Sequence, residues 1–233
     1  MTGTPRAYSV VLDWIEEKLR SGEIVIGDKL PGERALAEQF GISRASVREA
    51  TRILDAMGLV RSGVGSGPNA GAIVISEPSA ALAWALRMHV ATRALPVADL
   101  VETRVLLETQ AARKAAAGHP DRADILRRAG ELLDQMDHPG IPTAEFHALD
   151  AQFHILLTSL AGNVVVETMM ASLREATVGY LREKVSTLDD WSAIRRDLQE
   201  QHRAILAATE ASEGERAAGL LRDHITGFSE LGS

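Results

Sequence analysis

The residues best equipped for chemistry are an aspartate and three histidines in the second half of the chain. Asp150 and His154 are four positions apart, so on a helix both project from one face on adjacent turns. His202 and His224 lie on the apolar stripes of two later helical segments. Burying these polar groups without partners would cost several kcal/mol, and a divalent cation would satisfy all of them at once. The pattern therefore predicts a metal site formed by Asp150, His154, His202 and His224.

The expected ligands are one carboxylate oxygen and three imidazole nitrogens, a set that suits zinc, nickel, manganese or iron without selecting among them. Zinc is the first expectation, with nickel, manganese and iron as alternatives. His147 lies near the same helix face as His154, but the two are seven positions apart, which is about 10 Å along a helix and too far to share one ion. We therefore expect His147 to stand outside the site.

Arg104 is a candidate for binding an anion. It shares a helix face with Leu100, Leu107 and Ala111, so its guanidinium should point towards the interior. A buried arginine needs an anionic partner, and its planar fork fits a carboxylate well. Two partners stay open at this point: a small organic acid that acts as an effector, and an acidic side chain of the protein itself.

A second group of candidates lies near the N-terminus and suits nucleic acid. Arg44, Arg48 and Arg52 recur every four residues, which places them on one face of a helix that Ser43 would cap. The hydroxyls of Ser43 and Ser46 accompany free backbone N–H groups at that helix start, and such groups bind phosphate. Arginine matches the two major-groove acceptors of guanine and also binds phosphate. The alternative is a solvated arginine face on an ordinary amphipathic helix.

The elements that must position these residues fall into two regions. Residues 1–76 predict three helices and then two short strands around the glycine-rich stretch 63–68, which is the order of a winged helix-turn-helix. Residues 77–80 have the composition of a linker. Residues 81–233 show helical periodicity with short breaks, which predicts an all-helical antiparallel bundle that binds metal and effector and dimerises. The expected fold class is therefore mainly α.

Charge and composition narrow the classes of protein. The chain of 233 residues has a net charge of −7, and residues 1–75 are neutral with nine bases and nine acids. Overall acidity argues against nonspecific coating of nucleic acid. Cysteine is absent, which excludes disulfides and thiolate metal sites and fits a reducing cytoplasm. No apolar run approaches the roughly 18 residues of a membrane span, and the N-terminus lacks a signal peptide. We expect a cytoplasmic protein without a membrane partner.

The segment from Leu30 to Ala50, closing with Gly58-Leu59-Val60, closely resembles the DNA-binding domain of GntR-family bacterial transcription regulators. The resemblance covers about residues 8–75. It implies DNA contacts by a residue of the second helix, by three residues of the third and by one residue of the wing: Arg34, Arg44, Ser46, Arg48 and Gly65. The sequence departs from the family pattern at Gly32, where a polar cap is usual, and in a longer wing after Gly65.

A second resemblance covers about residues 80–230. The segment Leu149–His154 followed by Ala161-Gly162-Asn163, together with Glu102–Glu108, resembles the FCD-type effector domain of the FadR-like branch of GntR regulators. It implies a helical domain that holds a metal, with a small carboxylate bound against it. The residues expected to bind this effector are Arg104 and Asn163. The sign of regulation that the family favours is repression.

The function that these features predict is a DNA-binding regulator, not an enzyme, whose operator affinity responds to a small organic acid. Half-sites about one helical turn apart favour a homodimer on an inverted-repeat operator of double-stranded DNA. The alternative is a metal-dependent enzyme that acts on small carboxylates. No general base or nucleophile motif accompanies the aspartate and histidines, and a winged helix has no role in such an enzyme. A metal that only stabilises the bundle is a third interpretation.

Overall fold

The computed structural model describes residues 7–63, 71–115, 119–186 and 190–231, without the side chains of residues 179, 181–184 and 186. The chain divides into two compact units, Met1–Leu82 and Ala83–Ser233. The first unit contains three helices and a two-stranded antiparallel hairpin: α1 (Ser9–Ser21), α2 (Glu33–Phe40), α3 (Arg44–Ala56), β1 (Val60–Gly63) and β2 (Gly71–Val74). Val60 pairs with Val74 and Gly63 with Gly71. The predicted helix-turn-helix and wing therefore form in this order.

The turn between α2 and α3 follows from its sequence. Gly41 takes a left-handed conformation with φ of 64°, which ends α2 and reverses the chain. The side chain of Ser43 then caps α3, because its Oγ accepts a hydrogen bond from the backbone N–H of Ser46 at 3.1 Å. Trp14 of α1 packs edge-on against Phe40, with ring centroids 5.7 Å apart. These contacts fix the start of α3 against the core of the unit.

Gly58, between α3 and β1, is a position that a side chain could not occupy without rearrangement of the backbone. Its φ is 69°, and a Cβ built there would lie 2.3 Å from the carbonyl oxygen of Glu77. The N–H of Glu77 in turn donates to the carbonyl of Gly58 at 2.9 Å. The motif Gly58-Leu59-Val60 therefore closes the wing against the segment that leaves the unit.

All later elements in the described residues are helices: α4 (Pro78–Ala91), α5 (Val97–Ala115), α6 (Arg122–Met136), α7 (Thr143–Ser159), α8 (Val164–Ser186), α9 (Trp191–Glu210) and α10 (Gly214–Glu230). The prediction of a mainly α protein with a helical second domain is confirmed. Helix α4 begins at Pro78, so residues 78–80 of the predicted linker 77–80 form the first turn of this helix. Among the described residues, every helix is too short or too polar to cross a lipid bilayer.

The second unit is built around large apolar side chains from several helices. Phe146 and Phe153 of α7, Leu133 of α6 and Ile205 of α9 are at most 2% exposed. Helix α4 differs, because Ala83 is its one buried residue among those described, although most of its side chains are apolar. Its large apolar side chains Leu82, Trp84 and Met88 are 38%, 60% and 45% exposed. Trp84 and Met88 are four positions apart and share one face, and an exposed apolar face in a single chain is typical of an interface.

Candidate metal centre and nucleic-acid interface

The structure brings together the four residues that the sequence predicted as metal ligands. Asp150 and His154 come from α7, His202 from α9 and His224 from α10, and each residue offers one ligand atom within 4.8 Å of the others. None is more than 8% exposed. Three helices thus place one carboxylate and three imidazoles in the interior of the bundle.

Hydrogen bonds orient two of the imidazoles. The Nδ1–H of His154 donates to the carboxylate of Glu108 on α5, and the Nδ1–H of His224 donates to Gln201 Oε1 at 2.8 Å. In the neutral rings this leaves the lone pair on each Nε2. Those two nitrogens face each other at 3.2 Å. Two facing lone pairs repel each other unless a cation lies between them, so the geometry fits a metal ion.

His202 provides an independent test of that fit. Its Nε2 lies 3.0 Å from Asp150 Oδ1. Neither ring nitrogen makes an aligned hydrogen bond to any described residue, although both are fully buried. A buried polar atom without a partner costs about 1–3 kcal/mol. Coordination of a divalent ion by Nε2 would remove part of this cost, which is a reason to expect an ion here.

The charges of the ligand groups also suit a metal. Burial would raise the pKa of Asp150, but the positive charge of Arg174 and the close approach of His154 and His202 hold it well below its ordinary value. Burial lowers the pKa of His202 and of His224, and for His224 the neighbouring histidines lower it further. A charged carboxylate and neutral imidazoles are the protonation states that metal coordination requires.

Arg104 pairs with an acidic side chain of the protein itself, which is one of the two anionic partners that the sequence left open. Its Nη2 lies 3.1 Å from Glu108 Oε1, one helical turn along α5. Burial would raise the pKa of Glu108, but His154 and Arg104 bring it below its ordinary value, so the carboxylate is charged. The internal salt bridge therefore forms. It links Arg104 through Glu108 to His154, and Arg104 also borders the cavity beside the cluster.

That cavity has a volume of about 30 Å³, which is room for about one water molecule. It is lined by Arg104, Phe146, His147, Asp150, Arg174, Leu198, His224, Ile225 and Phe228. His147 borders the cavity without belonging to the cluster, as predicted. Trp191, at the start of α9, packs behind it with ring centroids 5.6 Å from Phe146 and 5.1 Å from His147. An organic acid would have to displace side chains to enter.

Asn163 lies elsewhere. Its Oδ1 accepts hydrogen bonds from the backbone N–H groups of Val165 and Val166 at 3.1 and 3.3 Å, so it caps the first turn of α8. It lines a separate surface groove of about 680 Å³ between α6 and α7. It is not among the residues that border the cavity beside the cluster.

Three residues of the site were missed by sequence reasoning. Glu108 carries a signal, since it follows Arg104 by four positions on the same helix face. Gln201 stands directly before His202, but its contact with α10 depends on how two helices pack. Arg174 of α8 binds both the carbonyl and the carboxylate of Asp150. Nothing in its local sequence distinguishes it from a surface arginine.

In the first unit, the side chains predicted to contact DNA lie on α2 and at the start of α3. Arg34, Arg44 and Arg48 are exposed. Two of these arginines face acids on α2, with Arg48 Nη1 at 3.7 Å from Glu33 and Arg34 Nε at 3.8 Å from Glu38. Of the other residues predicted to contact DNA, Ser43 caps α3, and its hydroxyl oxygen lies 3.0 Å from that of Ser46. Gly65 falls outside the described residues.

Both units of the chain match families of known proteins. Residues 99–227 match the model of the FCD domain, and residues 7–68 match that of the bacterial regulatory proteins of the gntR family. The chain belongs to the GntR family of bacterial regulators. The resemblance predicted from the sequence is confirmed. FCD domains are a metal-binding family, and the buried Asp/His cluster of this GntR chain lies within the matched residues.

Named relatives span almost the whole GntR chain. The HTH-type transcriptional regulator LutR of Bacillus subtilis is 31% identical over 215 residues, which are 91% of this chain and 95% of LutR. The Glc operon transcriptional activator of Escherichia coli is 26% identical, over 93% of this chain and 85% of that protein. A structure named Streptococcus agalactiae GntR has the same fold, with a TM-score of 0.63, 24% identity and coverage of 95% and 96%.

Proposed function

We propose that this protein is a DNA-binding transcription regulator whose affinity for its operator changes when a small carboxylate binds beside a metal ion in the helical domain. One observation carries the proposal. Asp150, His154, His202 and His224 converge in the second unit, while the helix-turn-helix and wing form in the first. The residues of the proposed sensing site and those of the proposed DNA-binding element thus lie in separate units of one chain. The domains proposed are 1–76 for DNA binding, 77–80 as linker and 81–233 for effector binding.

The metal would be held by Asp150, His154, His202 and His224. Zinc is the proposed ion, and nickel, manganese or iron are the alternatives for this donor set. Once bound, the ion supplies positive charge that attracts a carboxylate oxygen. The protein's own contribution is orientation: Glu108 and Gln201 fix which nitrogen of His154 and His224 faces the cluster.

The effector proposed is a small organic acid in the cavity between the cluster and Arg104. The guanidinium of Arg104 borders that cavity while Glu108 accepts its hydrogen bond. In the present structure the cavity has room for about one water molecule, so it must widen when an organic acid binds. This requirement couples effector binding to movement of side chains. Asn163 enters the proposal only on the family resemblance, because its contacts are with the first turn of α8.

DNA binding is assigned to Arg34, Ser43, Arg44, Ser46, Arg48 and Gly65. The helix-turn-helix supports this assignment, since its second helix enters the major groove in proteins of known complex. One neutral winged domain offers few phosphate contacts, so a homodimer on an inverted repeat is proposed. The exposed apolar face of α4 formed by Trp84 and Met88 is the surface proposed to meet a second copy.

Repression is the proposed sign of regulation. Relatives carry both signs in their names: the Glc operon protein is called an activator, and the Escherichia coli protein NanR, 28% identical, is called a repressor. A reporter gene placed behind the operator in cells with and without the regulator tests the sign, since repression requires higher expression without it.

The central test is made on the protein as purified. Elemental analysis by X-ray fluorescence should find a divalent metal at about one ion per chain. Duplexes selected from a random pool should share an inverted repeat, and a panel of small carboxylates should change affinity for that operator. A protein that holds no metal and ignores every acid of the panel would contradict the proposal. Turnover of any acid in the panel would favour the enzyme alternative.

A further inference from the structure

Arg174 is a buried arginine whose hydrogen bonds are incomplete. It reaches from α8 to α7, where its Nη2 donates to the backbone carbonyl of Asp150 at 2.9 Å and to the Asp150 carboxylate. The residue is 4% exposed and borders the cavity beside the cluster. Its Nε–H is buried and has no hydrogen-bond partner among the described residues. A buried donor of this kind at the edge of a cavity favours an acceptor from outside the chain.

The charges around the cavity point to the same kind of ligand. Arg104 and Arg174 are balanced by Glu108 and Asp150, all four of them buried. A divalent ion at the cluster leaves this interior with two uncompensated positive charges. Burying uncompensated charge is costly, so the metal-loaded site should attract an anion, and one with two negative charges would complete the balance. Nη2 of Arg174 already donates to Asp150, so the Nε–H is the group that remains for an oxygen of the ligand carboxylate.

The residue next to Arg174 connects α8 to a different helix. Glu175 Oε1 accepts a hydrogen bond from Arg87 Nη1 of α4 at 2.9 Å. Successive residues of a helix point about 100° apart, so Arg174 faces the cavity while Glu175 faces α4. In the chain, α4 follows the hairpin of the first unit with three residues between them. A shift of α8 that begins at Arg174 would therefore act on α4 through Glu175.

We propose that Arg174 is a second effector-binding residue that takes up a carboxylate through its free Nε–H, and that the pair Glu175–Arg87 passes the resulting shift of α8 to α4. This inference rests on the proposed function, since it needs a metal and an anionic effector. The ligand class it assigns is a dicarboxylate, with one carboxylate towards the metal and the other towards Arg174. The competing interpretation is that Arg174 only compensates the charge of Asp150.

The first experiment separates these interpretations. The zinc-loaded full-length protein is titrated by calorimetry with malonate and with acetate, and zinc content is measured in the same samples. Malonate should bind the parent more tightly than acetate. Arg174→Lys keeps the positive charge but loses the Nε–H, so it should keep zinc and bind malonate at least about tenfold more weakly. Unchanged malonate affinity in this variant, or loss of its zinc, would overturn the proposal.

The second experiment tests transmission. Glu175→Gln and Arg87→Gln should bind zinc and malonate as the parent does. In the parent, saturating malonate should change operator affinity by about 5- to 150-fold, the usual range of allosteric coupling, and in both variants this change should shrink at least threefold. Arg216→Gln on α10 removes an exposed ion pair with Glu213, which directly precedes the helix. It is the matched control and should keep the full change. Full coupling in both variants overturns the transmission.

The zinc content and acid binding of the parent protein distinguish failure of this inference from failure of the proposed function. A parent that holds zinc and responds to malonate supports the proposed function whatever Arg174 does. A parent that holds no zinc, or that binds neither acid, contradicts the proposed effector and this inference together.

Discussion

Gln201 Oε1 accepts a hydrogen bond from Nδ1 of His224 at 2.8 Å, across the contact between α9 and α10. The next residue on α9 is His202, whose Nε2 faces Asp150. Helix α9 thus supplies one candidate ligand and, from the neighbouring position, the acceptor that orients another. Replacing Gln201 with Leu should leave His224 free to rotate and lower zinc affinity by about 10- to 100-fold, the usual effect of losing such a partner.

Competition with a chelator of known affinity measures this change. Gln201→Glu keeps an acceptor at the same place and is the control that should restore most of the affinity. Equal zinc affinity in the parent and in Gln201→Leu would mean that the hydrogen bond has no part in metal binding.

Removal of a ligand should abolish the site. His202→Ala and His224→Ala should each lose stoichiometric zinc, and with it the stabilisation that added zinc confers on the parent. That stabilisation is expected to reach about 2.7 kcal/mol at a free zinc concentration a hundred times the Kd. Thermal unfolding with and without zinc, together with elemental analysis, measures both effects.

His147→Ala is the control for these variants, because His147 borders the cavity but is not part of the cluster. It should keep its zinc. Operator binding by metal-free His202→Ala should persist, since the helix-turn-helix belongs to the other unit. Zinc retained by His224→Ala and lost by His147→Ala would reverse the assignment.

Glu108 should matter for stability as well as for the site. It is 2% exposed and joins Arg104 to His154, so Glu108→Gln leaves a buried arginine without its charged partner. Breaking a buried pair in this way costs about 3–5 kcal/mol. Urea unfolding of the metal-free protein measures the loss. Glu215→Gln, whose partner Arg113 is also on α5 but whose side chain is 82% exposed, should cost about 0–1 kcal/mol. Similar losses in the two variants would contradict the buried role.

Recognition of DNA should depend on α3. Arg44→Ala and Arg48→Ala should each weaken binding to the selected operator by about 1–3 kcal/mol, while binding to unrelated duplexes changes less. Filter binding at a fixed salt concentration gives both numbers. Arg20→Ala removes an exposed arginine that pairs with acids on α1, and it should be neutral. Parent-like operator affinity in both α3 variants would show that another surface reads the sequence.

The exposed apolar face of α4 should hold a dimer together. Trp84 is 60% exposed, and a charge placed there should split the dimer, because burying an unpaired carboxylate at an interface is costly. Trp84→Glu is therefore expected to sediment as a monomer where the parent sediments as a dimer. Val164→Glu, at a 74% exposed position at the start of α8, should remain dimeric. A dimeric Trp84→Glu variant together with a monomeric Val164→Glu variant would place the interface on α8 instead.

The part of the site that could be predicted from the sequence is the part that helical periodicity determines. The four-residue spacing of Asp150 and His154, and the stripe positions of His202 and His224, state which way each side chain faces on its own helix. The contacts of Arg174 and Gln201 depend on which helices become neighbours, and no local spacing contains that information. The same limit applies to the cavity, whose small volume follows from packing alone.

The three tryptophans of the chain give each part of the molecule its own optical reporter. Trp14 stacks edge-on against Phe40 in the first unit, Trp84 stands in solvent on α4, and Trp191 packs behind the cavity against Phe146 and His147. Variants that keep one indole and carry phenylalanine at the other two positions would separate these signals. The emission spectrum of Trp191 would then follow occupancy of the cavity, that of Trp84 would follow coverage of α4, and Trp14 would follow the winged unit, all without an attached dye.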